Sequence, residues 1–416
     1  MKKKVILLII LVMVVLFAIL ISPLMNISFK NESISKAQWK EDLEYMRKNL
    51  PKKHVNLFFK TTRQEFDNSI LNLEQDLNNI DSQEIQVRLM SIISSIGDAH
   101  TNIVNFDSKY KYPLNAYWFK EGLFVVGISS KYKDILGCQI TEINDIPIGK
   151  IIEDINTLIP HENEFLLKSE NPSMLQEPKV LRHFGVINEV SEKQSIVLTL
   201  VNQDNMTFKT NILPEANSDI KWSYLTDKIK SKSLYLSSNE NSCLKYSEDD
   251  NLIYYRFNTT ANHPSTKELS LLKSMLKEKK AEKLIIDIRD NVGGSYFGNS
   301  RLVNIIRNSS YFNNKGKLFV IVGRKTFSSG LLYTYEFKNR TNAIFYGEPT
   351  GGKPNHYGDL HYLKLPNSKI SLSYSTKYFQ YGSGDAFFPD CLVEYSVKDF
   401  LAGIDPAVEK IKSDYR

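Results

Sequence analysis

The sequence of 416 residues predicts a mixed α/β fold built from more than one domain. Three observations predict it: apolar residues at three-and-four spacing near the N-terminus, short strands and turns in the middle, and strands alternating with helices in the last half. Apolar residues make up 42% of the chain and charged residues 24%, which is the balance of a folded globular protein. A chain of this length exceeds one ordinary core, so we expect two or three domains.

The N-terminus predicts a membrane anchor. Lysines at positions 2–4 precede an uncharged, apolar run over 5–21, which is nearly long enough to cross a bilayer core as a helix. We therefore expect a transmembrane signal-anchor over residues 1–25, with the lysines in the cytoplasm and the rest of this single-pass cell-membrane protein outside it. A cleaved signal peptide is the alternative, but the run is long for one and no small-x-small cleavage pattern follows.

Charge and cysteine usage exclude two classes of partner. The formal net charge is +6, of which three charges belong to the anchor lysines, and the remainder is spread without basic clusters. This pattern gives no reason to expect nucleic acid binding. The three cysteines are far apart and form no Cys/His cluster, so we expect no zinc site.

Residues 36–105 predict an N-terminal helical domain. The segments Gln64–Leu77 and Glu84–Ile96 place apolar residues on one helical face, and Asp81 or Ser82 can cap the second helix.

Residues 106–215 predict a module of short strands, with a helix over Ile148–Leu158 and a hairpin near its end. The strand, turn and helix around 140–158 resemble a PDZ-like module. The segment 160–188 fits no simple pattern.

Residues 216–416 predict the α/β domain. Ser265 and Glu268 have the spacing of a capping box at the start of a helix. Strands alternating with helices imply a largely parallel sheet, whose functional sites usually lie at the C-terminal ends of the strands. The predicted strands are Leu252–Phe257, Leu284–Ile288, Leu318–Val322 and Ala343–Tyr346.

Two segments at such strand ends carry chemistry. After the second strand, Gly293 and Gly294 let backbone N–H groups approach a ligand closely, as an oxyanion hole requires; an ordinary strand-ending turn is the alternative. After the third strand, Ser328 and Ser329 precede an apolar helix, where free N–H groups and the helix dipole stabilise negative charge. A helix-capping serine is the alternative there.

Two residues are candidates for a general base. Lys353 follows the fourth strand, and a lysine in a partly dry pocket can lose its proton. His100 lies in the segment Gly97-Asp98-Ala99-His100-Thr101, and histidine is the commonest base near neutral pH. A solvated loop lysine and a structural histidine are the respective alternatives.

The order and spacing of these segments form a specific set. They resemble the C-terminal processing (tail-specific) and tricorn-like serine peptidase family, over roughly residues 40–416 and most strongly over 280–406. The set comprises the glycine turn, the Thr-x-Ser-Ser segment, residues 347–353, and the endings 388–390 and 403–406.

The resemblance implies a crotonase/ClpP-like α/β core with an inserted PDZ-like domain and peptide-bond hydrolysis without a metal or cofactor. It assigns Ser328 as nucleophile and the N–H groups of Gly293 or Gly294, with that of Ser329, as oxyanion hole. The substrate would be an exported peptide or protein.

The family has two solutions for the base, and this chain carries both residues. Its Ser–Lys branch corresponds to Lys353, 25 residues after the nucleophile. Its tricorn-like and nisin-resistance-type members use a histidine in a segment like that of His100. Tyr357 and Leu331 replace the Gln and Glu usual in the Ser–Lys branch, which favours His100. Asp98 and Asp287 are both candidates to orient its imidazole.

Two other functions remain open at this point. The Leu331 substitution and Pro354 after the lysine are compatible with an inactive peptide-binding protein of the same fold, and the PDZ-like module with a membrane-tethered scaffold.

Overall fold

The computed structural model describes residues 34–105, 108–278, 281–295 and 300–415. The signal-anchor predicted over residues 1–25 lies outside this range. Within the range, no helix has the length and apolar character needed to cross a membrane. The described chain is mixed α/β, which confirms the predicted fold class at that level.

Three helices open the described chain, as the apolar spacing predicts. They are α1 (Lys36–Lys53), α2 (Arg63–Asp76) and α3 (Ser82–Ser94). The Asp81 carboxylate accepts the backbone N–H groups of Gln83 and Glu84, and therefore caps α3 at the predicted position.

The middle of the chain forms a seven-stranded sheet whose pairs are antiparallel. Its helices include two in the segment that fits no simple pattern, where Pro172 lies inside α5 and obscures the helical signal. The elements are β1 (Tyr110–Lys111), β2 (Leu114–Phe119), β3 (Gly122–Ser129), β4 (Gln139–Ile143), β5 (Ile146–Pro147), α4 (Ile148–Asn156), α5 (Glu164–Met174), α6 (Pro178–His183), β6 (Ile196–Val201), β7 (Thr207–Ile212), β8 (Glu215–Ala216) and β9 (Trp222–Tyr224); β1 and β8 pair separately.

The last half forms a six-stranded sheet in the order β10-β11-β12-β13-β14-β17. Among the described strands of this sheet only β10 and β11 pair antiparallel, so the predicted largely parallel sheet is present. The elements are β10 (Ser242–Ser247), β11 (Leu252–Phe257), α7 (Thr266–Glu278), β12 (Lys283–Asp287), α8 (Ser300–Arg307), β13 (Leu318–Val322), α9 (Ser329–Arg340), β14 (Ile344–Gly347), β15 (Asn355–Lys364), β16 (Ser371–Gln380), β17 (Cys391–Leu392), α10 (Val397–Leu401) and α11 (Pro406–Asp414).

The central strands of this sheet are covered on both faces. Every residue of β12 and β13 is buried, as expected where helices pack on either side of a parallel sheet. Leu284 and Val320 belong to the cluster on one face, and Phe319 and Ile321 to the cluster on the other. The packing on both faces holds the ends of β12 and β13 in place. The glycine turn and the serine segment begin at these two strand ends.

A two-stranded antiparallel ribbon, β15–β16, contacts the N-terminal helical region. At its tip, the buried Asp42 of α1 accepts the backbone N–H groups of Asn367 at 2.8 Å and Ser368 at 2.7 Å. Along β16, the N–H of Val55 donates to the carbonyl of Ser375 at 3.0 Å. The ribbon therefore holds the N-terminal helical region against the strand ends of the six-stranded sheet.

Candidate active site

Three turns meet at one edge of the six-stranded sheet. They follow β12, β13 and β14, which are parallel neighbours, so their C-terminal ends lie side by side. The hydroxyl of Thr326 donates to the carbonyl of Ile288 at 2.8 Å, and the N–H of Gly352 donates to the carbonyl of Thr326 at 3.0 Å. The three predicted segments therefore form one connected unit.

The glycine turn packs directly against the serine segment. The hydroxyl of Ser329 donates to the carbonyl of Gly294 at 2.7 Å, and the N–H of Phe327 donates to the carbonyl of Asn291 at 3.0 Å. Gly293 has a φ of +96°, and a Cβ placed on it would lie 2.7 Å from the Cβ of Ser328. Only glycine fits this contact, so the turn is shaped around the serine.

Ser328 itself has an unusual backbone conformation. Its φ is +50° and its ψ is −125°, a combination that is costly for any residue with a Cβ. The residue occupies the N-cap position of α9, yet its side chain makes no capping hydrogen bond. The ordinary helix-capping role is therefore not the one this serine performs.

The backbone N–H groups around Ser328 divide into two kinds. That of Gly293 donates to the side-chain oxygen of Asn291 at 3.0 Å and is already engaged. Gly294 and Ser329 are then the better placed candidates for an oxyanion hole, and Ser329 begins α9, where the helix dipole favours negative charge.

His100 and Ser328 line the same cleft, whose volume is about 540 Å³. The imidazole of His100 stacks on Phe327, the residue before the serine, with ring centroids 4.4 Å apart. The ring of His100 also stacks with that of His356, and these two ring centroids are 5.5 Å apart. Two distant parts of the sequence, the 97–101 segment and the serine turn, therefore meet here.

Both ring nitrogens of the buried His100 are without a hydrogen-bond partner among the described residues. Burial lowers the pKa of His100 to about 4, although the nearby Asp98 charge acts in the opposite direction. Unpaired buried polar atoms are costly in stability and are kept mainly where function needs them. This imidazole is neutral at physiological pH and free to accept a proton.

Asp98 lies beneath this imidazole in a fully buried network. Its carboxylate accepts the backbone N–H of His100 at 3.0 Å, and its Oδ1 lies 4.0 Å from Nδ1 of the same ring. Burial raises the pKa of the Asp98 carboxyl, but the hydrogen bond from His54, the electrostatic attraction of His100 and the hydrogen bonds from Ser375 and Thr101 together outweigh it and lower the pKa to about 2. Asp98 is therefore a permanent negative charge next to His100.

The sequence interpretation missed two histidines of this site. Nε2 of His54 lies 2.9 Å from Oδ2 of Asp98, and Nδ1 of His356 donates to the carbonyl of Lys353 at 2.7 Å. His54 lies 44 residues before Asp98, so no local spacing points to the pair. His356 lines the cleft but lies near the start of β15, a strand that the sequence did not predict.

Two predicted site residues are not brought to Ser328. Nζ of Lys353 pairs with the exposed Asp385 at 3.2 Å, and Lys353 is not among the residues lining the cleft. The Asp287 carboxylate is engaged by the Tyr254 hydroxyl at 2.6 Å and by Nε of Arg289 at 3.0 Å. Asp287 is therefore committed to Arg289 and does not orient His100, because its carboxylate is used inside the sheet.

No group of three or more His, Cys, Asp and Glu side chains in the described part of the chain has the arrangement of a metal site.

Comparisons with known proteins give the fold but no close relative. No protein-family model matches this sequence, and no curated protein matches it significantly. The structure of mature CPAF in complex with lactacystin superimposes with a TM-score of 0.64 at 13% identity, covering 91% of this chain and 98% of that one. A second structure of mature CPAF gives the same TM-score and identity, covering 91% of this chain and 96% of that one.

The tricorn protease matches at 13% identity with a TM-score of 0.43, covering 91% of this chain and 36% of that chain. The chain therefore shares the fold of CPAF, in line with the resemblance that the order of its sequence segments indicates.

Proposed function

We propose that this protein is a serine peptidase that hydrolyses peptide bonds through an acyl ester on Ser328. The observation that supports this most is the strained turn of Ser328, which leaves its hydroxyl uncapped in the cleft that also contains the unpaired imidazole of His100. A serine with a nearby neutral base and glycine N–H donors has the parts that acyl transfer requires.

His100 is the general base in this proposal. Its Nδ1 is on the side of Asp98, at 4.0 Å from Oδ1, and its Nε2 is on the side of Gly358, where an added Cβ would lie 3.8 Å away. Nε2 takes the proton of Ser328 as Oγ bonds to the substrate carbonyl carbon, and the negative charge of Asp98 stabilises the imidazolium that forms. No hydrogen bond joins the serine to either ring nitrogen here, and such contacts often tighten only with substrate bound.

The N–H groups of Gly294 and Ser329 stabilise the oxygen anion of the tetrahedral intermediate. The imidazolium then gives its proton to the leaving amine as the carbon–nitrogen bond breaks. Water, deprotonated by the same imidazole, attacks the ester, and the proton returns to Ser328 Oγ as the product acid leaves. Atoms and charge balance without a metal or cofactor.

Lys353 has a structural role in this account. Its ammonium group pairs with Asp385, and its backbone carbonyl accepts the Nδ1–H of His356. A general base must reach the proton that it removes, and the ammonium group of Lys353 contacts Asp385 instead of Ser328.

The remaining parts of the proposal rest on the sequence. The run at 5–21 supports an anchor that holds the peptidase outside the cytoplasm, so exported peptides or proteins are its expected substrates. The middle sheet with α4 supports a PDZ-like module, and the parallel sheet with its serine turn supports a crotonase/ClpP-like core.

The test is cleavage of a peptide library by the full-length protein in detergent, compared with Ser328→Ala. We expect turnover by the wild type and none by the variant, with the same thermal unfolding. Ser270→Ala, which changes an exposed serine on α7, is the matched control and should retain full activity. Peptide binding without hydrolysis by the wild type would instead indicate a binding protein.

A further inference from the structure

A second cavity lies beside the cleft, behind the serine segment. Its volume is about 210 Å³, and it is enclosed mainly by α3, α5 and the segment between α4 and α5. Its lining residues are Met90, Ala99, Asn102, Leu158, Ile159, Pro160, Leu166, Ser169, Glu170, Met174, Val292, Lys325 and Phe327.

Three of these lining residues tie the cavity to the proposed catalytic groups. Ala99, Val292 and Phe327 immediately precede the base, the oxyanion turn and the nucleophile, respectively. Val292 and Phe327 also line the cleft itself. Because Val292 and Phe327 line both spaces, the cavity and the cleft that contains Ser328 share part of their wall.

The wall of the cavity is mainly apolar, and its polar members are Asn102, Ser169, Glu170 and Lys325. Leu158, Ile159 and Leu166 are buried there, while Glu170 and Lys325 are exposed at the rim. The volume exceeds the roughly 150 Å³ of an apolar cavity that binds benzene, so one large apolar side chain fits. Val292 is 56% exposed on the boundary, and a side chain entering the cavity would cover it.

We propose that this cavity is a specificity pocket for a large apolar side chain, that of Leu, Met or Phe, on a substrate residue next to the scissile bond. The proposal rests on the proposed peptidase function and adds the class of bond that is cleaved. The gain comes from removing the apolar side chain from water into a preformed apolar site.

Met174 offers a way to change the pocket without touching the catalytic groups. It lines the cavity from α5 and is partly exposed, so Met174→Trp fills the cavity and Met174→Ala enlarges it. Lys168→Trp is the matched control, because Lys168 is an exposed residue of the same helix that does not line the cavity.

The measurement is kcat/KM of the full-length protein on peptides that differ at one position beside the cleaved bond. We expect the wild type to prefer Leu, Met or Phe over Ala by roughly tenfold or more. Met174→Trp should remove that preference while cleavage of the Ala peptide is retained, Met174→Ala should shift it toward Phe, and Lys168→Trp should leave it unchanged.

Two results would overturn the pocket, and they are distinguishable. Cleavage by the wild type with an unaltered preference in both Met174 variants would remove the pocket and leave the peptidase function standing. A wild type that cleaves no peptide at all, although correctly folded, would remove both.

Discussion

Nε2 of His54 lies 2.9 Å from Oδ2 of Asp98, and neither side chain is exposed. The backbone N–H of Asn56 donates to the other ring nitrogen of His54 at 3.0 Å, so in the neutral ring Nε2 carries the proton and donates it to the carboxylate. His54 therefore holds the carboxylate that lies next to the ring of His100.

We predict that His54 acts as a positioning residue. His54→Leu removes the donor to Asp98 and should lower kcat by about tenfold or more with little change in KM, because the proton transfer to His100 loses its orientation. His54→Gln, whose amide can donate from a similar place, should recover most of kcat. Equal kcat values for the Leu variant and the wild type, measured at matched thermal stability, would contradict this role.

Because the backbone at Ser328 is strained, we predict that replacing this serine with glycine makes the fold more stable and abolishes activity. Ser328→Gly removes the Cβ from a residue with a φ of +50° and should raise the free energy of unfolding by about 1 kcal/mol, while activity is lost. Ser329→Gly is the control, since it places glycine in the first turn of α9 and removes a hydrogen bond to Gly294. Urea denaturation should show the control to be less stable than the wild type, and a destabilised Ser328→Gly would show that the turn is unstrained.

The pH profile should have a limb well below the usual range of histidine. Catalysis needs neutral His100, and burial lowers its pKa from 6.5 to about 4. We expect kcat/KM on a neutral peptide to stay constant from pH 7 to about 5 and to fall as the pH drops through about 4. A limb centred near pH 6.5 would contradict the lowered pKa of His100.

The same pKa makes a prediction for stability. Between pH 6.5 and about 4 the unfolded chain binds a proton at residue 100 and the folded chain does not, so His100 makes the fold less stable as the pH falls through this window. His100→Gln should flatten the decline in unfolding free energy over that range. A slope identical to that of the wild type would contradict the buried, neutral state of the ring.

Much of the α/β half was predictable because its signals are local. Leu252–Phe257 and Leu318–Val322 are apolar runs bounded by turn residues, and both are strands with those bounds. Ser265 and Glu268 form the predicted capping box, with the N–H of Glu268 donating to the Ser265 hydroxyl at 3.2 Å. Because parallel strands end at one edge, the meeting of the glycine turn with Ser328 also followed from the sequence.

The rest of the site depends on long-range contacts that no local pattern encodes. The β15–β16 ribbon joins Asp42 to Asn367 across 325 residues, and that contact helps to bring the helical region and His100 to the serine turn. Polar and aromatic residues alternate irregularly in the ribbon, so no strand pattern is recognisable in that part of the sequence. Asp287 lies close to the glycine turn in the sequence and was therefore a candidate to orient His100. Its carboxylate instead accepts a hydrogen bond from Arg289, two residues away.

The most direct test of the central claim is covalent labelling with a serine-reactive phosphonate, followed by intact mass and peptide mapping. We predict one adduct per chain, on Ser328, formed at a similar rate in Lys353→Ala because that ammonium group pairs with Asp385 outside the cleft. His100→Ala should react much more slowly. A wild type that forms no adduct, or a Lys353→Ala variant that is inert while His100→Ala reacts normally, would contradict the Ser328–His100 account.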